Sequence, residues 1–294
     1  MIAAAGVASR RQAEALVAAG RVRIDGQVAT IGQKVDPVSS TIEVDGSPVG
    51  VGTTRAYVAL HKPAGVTSTT RDRHAETTVL DLVPTVLVPD GTRLYPVGRL
   101  DLDSEGLILL TNDGNWAERV LHPRFGVERE YALGLAAPLT AEQVRTVNAG
   151  IRLEEGVARL TVPLRAATGV ETRLLADTLD PPADPRLVWY RATLAQGWKR
   201  QLRRMFGAVE APIVRLVRVR VGTVRLGDLR SGRARHLKNP EVKGLAAPDP
   251  HGAHARDANP RTGRPVSRSQ PSSAKNLRDS GDASGNIGRG RHKA

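Results

Sequence analysis

Between residues 96 and 114 the chain places Arg99, Asp101, Asp103 and Glu105 within seven positions, immediately ahead of the apolar run 107–110. A carboxylate beside a cation can serve as a nucleophile, and two placed carboxylates can share acid–base hydrolysis. The apolar run, Leu107-Ile108-Leu109-Leu110, closes on Thr111-Asn112-Asp113-Gly114 and predicts a strand buried on both faces that ends in a turn. Charges delivered so close to a buried strand must be paired or solvated, because an isolated buried ion is very costly. A functional site meets that demand and a solvated loop also meets it. Spacing does not choose between them, and for one Arg with three carboxylates the solvated loop is the commoner outcome.

A second charge-dense segment, Gln196-Gly197-Trp198-Lys199-Arg200-Gln201-Leu202-Arg203-Arg204-Met205-Phe206, predicts a helix that opens with four cations in six positions. Like charges at that density are unfavourable unless an anion lies close, and either an RNA backbone or the Asp101 carboxylate would serve. Residues 217–221 alternate between Val and Arg, the pattern of a half-exposed strand. Tyr131, in Arg129-Glu130-Tyr131-Ala132-Leu133, reads by default as a core tyrosine whose hydroxyl finds a partner. The strand Tyr57-Val58-Ala59-Leu60 runs into His61-Lys62-Pro63-Ala64-Gly65, a Pro-Gly turn that places Lys62 at a strand end. His74 stands near Glu76 without further ligand types and reads as a surface residue.

These segments need a scaffold, and 294 residues suffice for one good-sized core with a small module or for two ordinary domains. The net charge of +13, from 43 Lys and Arg against 30 Asp and Glu, favours a polyanionic partner, nucleic acid first. No apolar run approaches the roughly 20 residues that span a membrane. The N-terminus lacks the basic flank and long apolar core of a signal peptide, and the absence of cysteine excludes disulfides and thiolate metal sites; both point to a cytoplasmic protein. At its start, Ser9-Arg10-Arg11-Gln12 predicts a capped helix ending at Gly20. Small strands at 21–24 and 41–44 end in the hairpin turns Asp25-Gly26 and Asp45-Gly46. From about Pro240 the pattern dissolves. Residues 241–294 carry ten Lys and Arg against five Asp and Glu, and they predict a disordered basic tail.

Gly98-Arg99-Leu100-Asp101, followed by Ser104, Gly106 and the apolar run into Thr111-Asn112-Asp113-Gly114, resembles the active-site motif of the ribosomal RNA pseudouridine synthases. More narrowly it is similar to the branch of small-subunit synthase A and large-subunit synthase B. The resemblance covers roughly residues 3 to 238, with the motifs in the expected order, and implies that Asp101 is the nucleophile, attacking either C1′ or C6 of a uridine. Lys62-Pro63-Ala64-Gly65 with Ser68-Thr69 resembles the family's first motif, which implies a supporting role for Lys62. Arg129 and Tyr131 resemble the basic-x-Tyr motif, which implies an aromatic over the target base. The segment 197–204 resembles the third motif and implies that Arg203 pairs with Asp101, with Arg99 as the second candidate cation. The relatives commonly carry Glu where this chain has Gln196, so one local ion pair is expected to be missing. Gly6-Val7-Ala8-Ser9-Arg10-Arg11, Gly20-Arg21-Val22 and Asp25-Gly26 resemble an S4-like RNA-binding domain, short at its first helix.

The expected architecture is therefore α+β. An S4-like αα/β domain spans 1–48, a catalytic domain on a long, mainly antiparallel sheet spans 52–240, and the tail follows from 241. RNA contacts are expected from Arg10, Arg11, Arg21, Arg23, Lys62, Arg129, Lys199, Arg200, Gln201 and Arg204. The partner implied is ribosomal RNA or a pre-ribosomal particle, and the Thr111-Asn112-Asp113-Gly114 turn leans toward 23S. A monomer is expected because no amphipathic helix is left over. Pseudouridine is an isomer of uridine, so no cofactor and no metal is expected. Two rivals remain: a noncatalytic RNA-binding assembly factor, and a hydrolase that would use Asp103 or Glu105 as its second carboxylate.

Overall fold

The protein is described here by a computed structural model covering residues 1–3, 5–36, 39–50, 54–70, 76–90 and 92–247. His74 and nearly all of the basic tail, 248–294, lie outside the described residues. Ser9 caps the first helix, α1 (Arg10–Ala18), in a full capping box with Gln12, whose side chain accepts from Ser9 N at 3.0 Å. Ahead of it Ala5 N donates to Met1 O at 2.9 Å, so a hydrogen-bonded turn and one helix stand where a helix pair was expected. Strands β1 (Val22–Ile24) and β2 (Gln27–Val28) are joined by Asp25 and Gly26, both at positive φ. Asp45 and Gly46 join β3 (Ile42–Val44) to β4 (Ser47–Pro48) in the same way, the conformation that a twisted two-residue hairpin requires. The four pair in the order β2-β1-β3-β4 and bury Ile2, Ala8, Val22, Ile42 and Val44 in a small core of their own.

The rest of the chain builds one large sheet and a separate two-stranded hairpin. In sequence it comprises β5 (Tyr57–Lys62), β6 (Tyr95–Val97), β7 (Glu105–Thr111), α2 (Gly114–Leu121), β8 (Arg129–Leu135), α3 (Ala141–Ala149), the hairpin β9 (Ile151–Leu153) and β10 (Gly156–Ala158), β11 (Arg165–Ala166) and α4 (Gly169–Thr178). Then follow β12 (Val188–Leu194), α5 (Gln201–Gly207), β13 (Ile213–Val221), β14 (Val224–Arg225), β15 (Ala234–His236) and α6 (Asn239–Ala246). The strand order is β11-β12-β8-β13-β7-β5-β15, with β14 added to β13 and β6 to β7. Every pair is antiparallel except β13 with β7, which agrees with the expected α+β class and mainly antiparallel sheet.

Strand β7 is buried along its whole length, as its unbroken apolar run predicts. Alternation sends Leu107 and Leu109 into a core with Val97, Trp116 and Val217, while Ile108 and Leu110 meet Val58, Leu60 and Leu100 on the opposite face. Burying each such side chain contributes roughly 1.5–3 kcal/mol. Strand β13 departs from expectation. Its alternation predicted solvent-facing arginines, yet Arg218 is only 4% exposed, and Arg220 lies against Glu128 and Glu130 at 3.1 and 3.0 Å. Neighbouring carboxylates and carbonyls supply what water would have supplied. The pattern break at Pro240 likewise marks a helix start, since proline is tolerated in the first turn of α6. Trp116 Nε1 donates to Val242 O at 3.0 Å and Leu245 is buried, which carries packed structure past that boundary.

The parallel pairing depends on Gly106, at φ +101°, which faces Arg218 across the β7–β13 junction. A Cβ there would lie 2.3 Å from Arg218 O and 2.6 Å from Arg218 N, both backbone atoms that cannot swing aside. Gly106→Ala is expected to cost about 3 kcal/mol or more through strain and lost pairing. Gly50→Ala, with open space around its Cβ, is the matched control. Denaturant midpoints of the two variants check this, with the Gly50 variant staying within about 0.5 kcal/mol of wild type.

Candidate active site

The chain leaves β6 at Gly98, φ +81°, and loops through 99–104 before entering β7. Leu100 anchors the loop by its apolar side chain, packed among Val58, Leu60, Val66 and Ile108. Its backbone is gripped at both ends by one hydroxyl: Leu100 N donates to Ser68 Oγ at 3.1 Å, and Ser68 Oγ donates to Leu100 O at 2.9 Å. Leu102 O accepts from Gly65 N at 2.8 Å, and Ser104 N donates to Asp101 O at 3.1 Å. Asp101 lies between these held points with its side chain 38% exposed.

Beneath the loop sits Lys62, fully buried, whose ammonium donates to Pro63 O at 2.9 Å, Ser104 O at 2.7 Å and Leu102 O at 3.4 Å. A lysine has three donors, and here all three are spent on backbone carbonyls. Lys62 was expected among the RNA contacts; its burial removes it from that group and makes it the post on which the Asp101 loop rests. Burial pushes its ammonium down from the usual 10.5 to about 8, against the opposing pull of Glu105, Asp103 and Asp101. Next to it, His61 is buried and pushed toward the neutral form for the same reason. Its Nδ1 lies 2.7 Å from Leu229 O, so that nitrogen carries the proton.

The motif's carboxylates have separate fates. Glu105 is 2% exposed and is bound side-on by Arg215 of β13, at 2.7 and 2.8 Å. Asp103 is exposed and takes both nitrogens of Arg200 at 3.1 and 3.0 Å, with Arg203 at 3.2 Å. The Arg200 hydrogen bonds hold the Asp103 carboxyl below its ordinary range. Among the described residues one cation comes within 4 Å of the Asp101 carboxylate, Arg200 Nη1 at 3.6 Å. Arg203, expected to pair with Asp101, instead donates to Asp103 O and Ile213 O, both at 3.0 Å. Its backbone position in the first turn of α5 points the fork at residue 103. Arg200 precedes α5 in a left-handed conformation, φ 49° and ψ 35°, which for a non-glycine residue costs on the order of 1 kcal/mol. The cationic run thus straddles the helix start rather than lying wholly within it.

Tyr131, on β8, is directly opposite Arg218 of β13 and shares its sheet face. Arg218 donates to Leu107 O at 2.7 Å and Arg99 O at 3.4 Å, which links that face to the loop two residues before Asp101. The ring of Tyr131 packs against the cluster containing Leu100. Arg129 spends its fork on Val127 O and Val120 O at 3.1 and 3.0 Å, with burial and Arg218 both disfavouring its charge. Gln201 is 3% exposed and donates to Gln196 at 2.7 Å. Burial takes Gln201 out of the expected RNA-contact surface, while Arg129 is half-buried with its fork held by backbone carbonyls. Gln196 also accepts from Arg159 N at 3.1 Å, so neutral hydrogen bonds replace the ion pair expected to be missing.

Among the other expected RNA contacts, Arg10, Arg11, Arg23 and Lys199 are exposed, and so is Arg99, expected as the second candidate cation for Asp101. Arg21 pairs with Asp45 at 2.6 Å and Arg204 with Glu155 at 2.7 Å, both near the surface. Sequence reasoning did not single out Ser68, Arg200 as the cation of Asp101, Asp103 as the partner of Arg200 and Arg203, or Arg218. Ser68 lay inside a quoted motif, while the arginine pairings join positions about 100 residues apart and leave no local signal.

The RNA pseudouridylate synthase family matches residues 56–208, and the S4 domain matches residues 1–39. The ribosomal large subunit pseudouridine synthase B of Bacillus subtilis is 38% identical over 256 residues, 87% of this chain and 97% of that protein. An uncharacterized RNA pseudouridine synthase of Mycobacterium leprae is 38% identical over 246 residues, 83% of this chain and 90% of that one. A crystal structure of a pseudouridylate synthase has the same fold, with a TM-score of 0.54 at 24% identity over 83% of this chain and 96% of its own.

Lys62→Met strips the donor from three loop carbonyls and is expected to cost about 3 kcal/mol at pH 7. Between pH 8 and 10.5 the unfolded chain holds a proton on Lys62 that the folded one has released. Wild-type stability therefore rises with pH across that window relative to Lys62→Met, and the difference is flat below it. Urea denaturation of both proteins from pH 7 to 10 measures both quantities.

Proposed function

The chain belongs to the RNA pseudouridylate synthase family and so isomerises uridine in RNA, and from that premise we propose that Asp101 is the nucleophile and that the target lies in ribosomal RNA of the large subunit. One observation carries the first part. Of the three carboxylates in the motif, Asp103 and Glu105 are committed to arginines, while Asp101 keeps an accessible carboxylate on a loop immobilised at residues 100, 102 and 104. A placed, unencumbered carboxylate beside a cation is what nucleophilic attack requires.

The reaction breaks the bond from ribose C1′ to N1 and forms one from C1′ to C5. N1 gains a proton and C5 loses one, so the atoms balance without any added group. If Asp101 attacks C1′, it displaces uracil and is itself displaced when C5 bonds to C1′; if it attacks C6, it adds across C5=C6 and is eliminated when C5 gives up its proton after the new glycosidic bond has closed. Before that the uridine must leave its stack, at a cost of a few kcal/mol. Arg10, Arg11, Arg23 and Lys199 are exposed and suited to holding phosphates while it does so. Tyr131 lies beside the site and offers a face for the displaced base. The large-subunit assignment rests on the Bacillus subtilis relative, whose name states that substrate and 97% of which this chain covers.

A pseudouridine map of ribosomal RNA from cells lacking the protein tests both parts. One uridine of 23S is expected to lose its modification, and the wild type but not Asp101→Asn restores it. With purified protein the substitution lowers turnover by roughly 10⁴-fold or more. Restoration by Asp101→Asn removes the nucleophile assignment, and a change confined to another RNA removes the substrate assignment.

A further inference from the structure

Every Phe, Trp and Tyr side chain of this protein except Phe125 packs into or against one of its hydrophobic clusters. Phe125 closes the short turn Pro123–Phe125 that follows α2, and it is half-buried with cations around it. The guanidinium carbons of Arg124 and Arg119 lie 4.5 and 5.4 Å from its ring centroid, and the His122 ring meets it edge-on at 6.0 Å. Arg119, Arg124 and His122 are exposed. Other surface arginines close on acids, as Arg21 does on Asp45 and Arg204 on Glu155. Among the described residues neither Arg119 nor Arg124 has a carboxylate within 4 Å, and Arg119 donates to the Ala246 carbonyl instead.

The patch stands on a fixed base beside the loop that carries Asp101. Arg129 donates to Val120 O at 3.0 Å and Val127 O at 3.1 Å, which holds both ends of the segment between them. Within that segment His122 Nδ1 accepts from Arg124 N at 3.2 Å, which leaves Nε2 as the ring's donor, and Gly126 turns the chain at φ 62°. Leu121 lies against Gly98, where a Cβ would come within 3.0 Å of Leu121 Cδ2. Gly98 opens the 98–104 loop, so the patch adjoins the place where a uridine meets Asp101.

We propose that Phe125, Arg119, Arg124 and His122 form a second RNA contact, which takes an unpaired nucleotide on one side of the target uridine, its base stacked on the aromatic and guanidinium surface and its phosphate on the arginines. The inference rests on the family's action on RNA, and neither on the reading of Asp101 nor on the choice of ribosomal subunit. A guanidinium lying over a ring is ordered by it, while its second face and its N–H edges stay open for a base and a phosphate. Stacking of this kind accepts any base, because every base has a π-face. An acidic peptide would use the same cations but has no use for the ring. The segment after residue 247 is itself basic, and these arginines repel it. Single-stranded RNA is the occupant that uses both halves of the patch.

The experiment compares wild type with Phe125→Leu, Arg124→Gln and the two combined. Single-turnover conversion of uridine in ribosomal RNA from cells lacking the protein is followed against enzyme concentration. Affinity is then measured across a range of salt for oligouridylate and for an RNA duplex of the same length. The half-saturating enzyme concentration is expected to rise about fivefold or more for each variant. The rate at saturation stays within about twofold of wild type, because these side chains do not touch the reacting atoms, and that rate also shows the fold to be intact. For Phe125→Leu the loss of affinity is confined to the single strand, since paired bases offer no free face. Arg124→Gln lowers the slope of log affinity against log salt by about 0.7 on the single strand, and Phe125→Leu leaves that slope unchanged. A half-saturating concentration within about twofold of wild type in the combined variant overturns the inference. So does a Phe125→Leu loss of equal size on duplex and single strand, or one that appears only in the saturated rate. Turnover by Asp101→Asn removes the nucleophile reading and leaves this one standing, because the affinities do not depend on it.

Discussion

A buried ammonium with only carbonyl oxygens to bind is the constraint around which the catalytic half of this molecule is arranged. Lys62 leaves the end of β5 inside the protein, where a bare cation would be untenable, and the available acceptors are the carbonyls of its own turn and of the loop that carries Asp101. The requirement works in both directions. The lysine is tolerable because the loop lies across it, and the loop is held in one shape because the lysine must be satisfied. Ser68 and Gly65, a few residues further on, complete the grip at Leu100 and Leu102. One short stretch, 62–68, therefore sets the position of a side chain some forty residues away.

The same accounting of charge governs the sheet beside it. Arg191 and Arg220 converge on Glu130, Arg215 closes on Glu105, and Arg218 ends on the carbonyls of Leu107 and Arg99. These groups sit at strand positions that an alternating pattern would assign to solvent, and each is acceptable there only because a partner from another strand meets it. Pairs of this kind add little net stability over an apolar core, but breaking one leaves an uncompensated charge. Their effect is on register. β13 can lie parallel to β7 in one alignment, the one in which Gly106 passes Arg218 and Arg215 reaches Glu105.

The consequence for chemistry is a division among like residues. Arg200, Arg203, Arg215 and Arg218 gather around a loop that carries three carboxylates and Arg99, and the carboxylates are distinguished from one another by surroundings rather than by type. Glu105 is enclosed and neutralised, Asp103 is exposed and paired, and Asp101 is half exposed and approached only at a distance. The exposed arginines outside the loop add a positive field to that arrangement.

Much of this was legible in the order of residues. The capping box at Ser9 and Gln12, the Asp-Gly turns, the doubly buried strand after Gly106 and the motif around Asp101 are local signals, because each depends on residues within a few positions of one another. Family, fold class and the candidate nucleophile followed from them. What the sequence could not assign was which cation meets which anion. The expected Arg203–Asp101 pair became Arg203 with Asp103, the expected phosphate contacts Lys62 and Gln201 became internal, and the arginines of β13 proved to be paired within the sheet, Arg218 buried. Burial of a charged side chain is settled by whether partners arrive from distant strands, and a basic stretch reads the same in either case. Residue types and spacing determined that three carboxylates sit among arginines; only the packing of β13 and α5 against the 98–104 loop decided which carboxylate was left free, because electrostatic pairing acts over a few ångströms of space and not over positions in a chain.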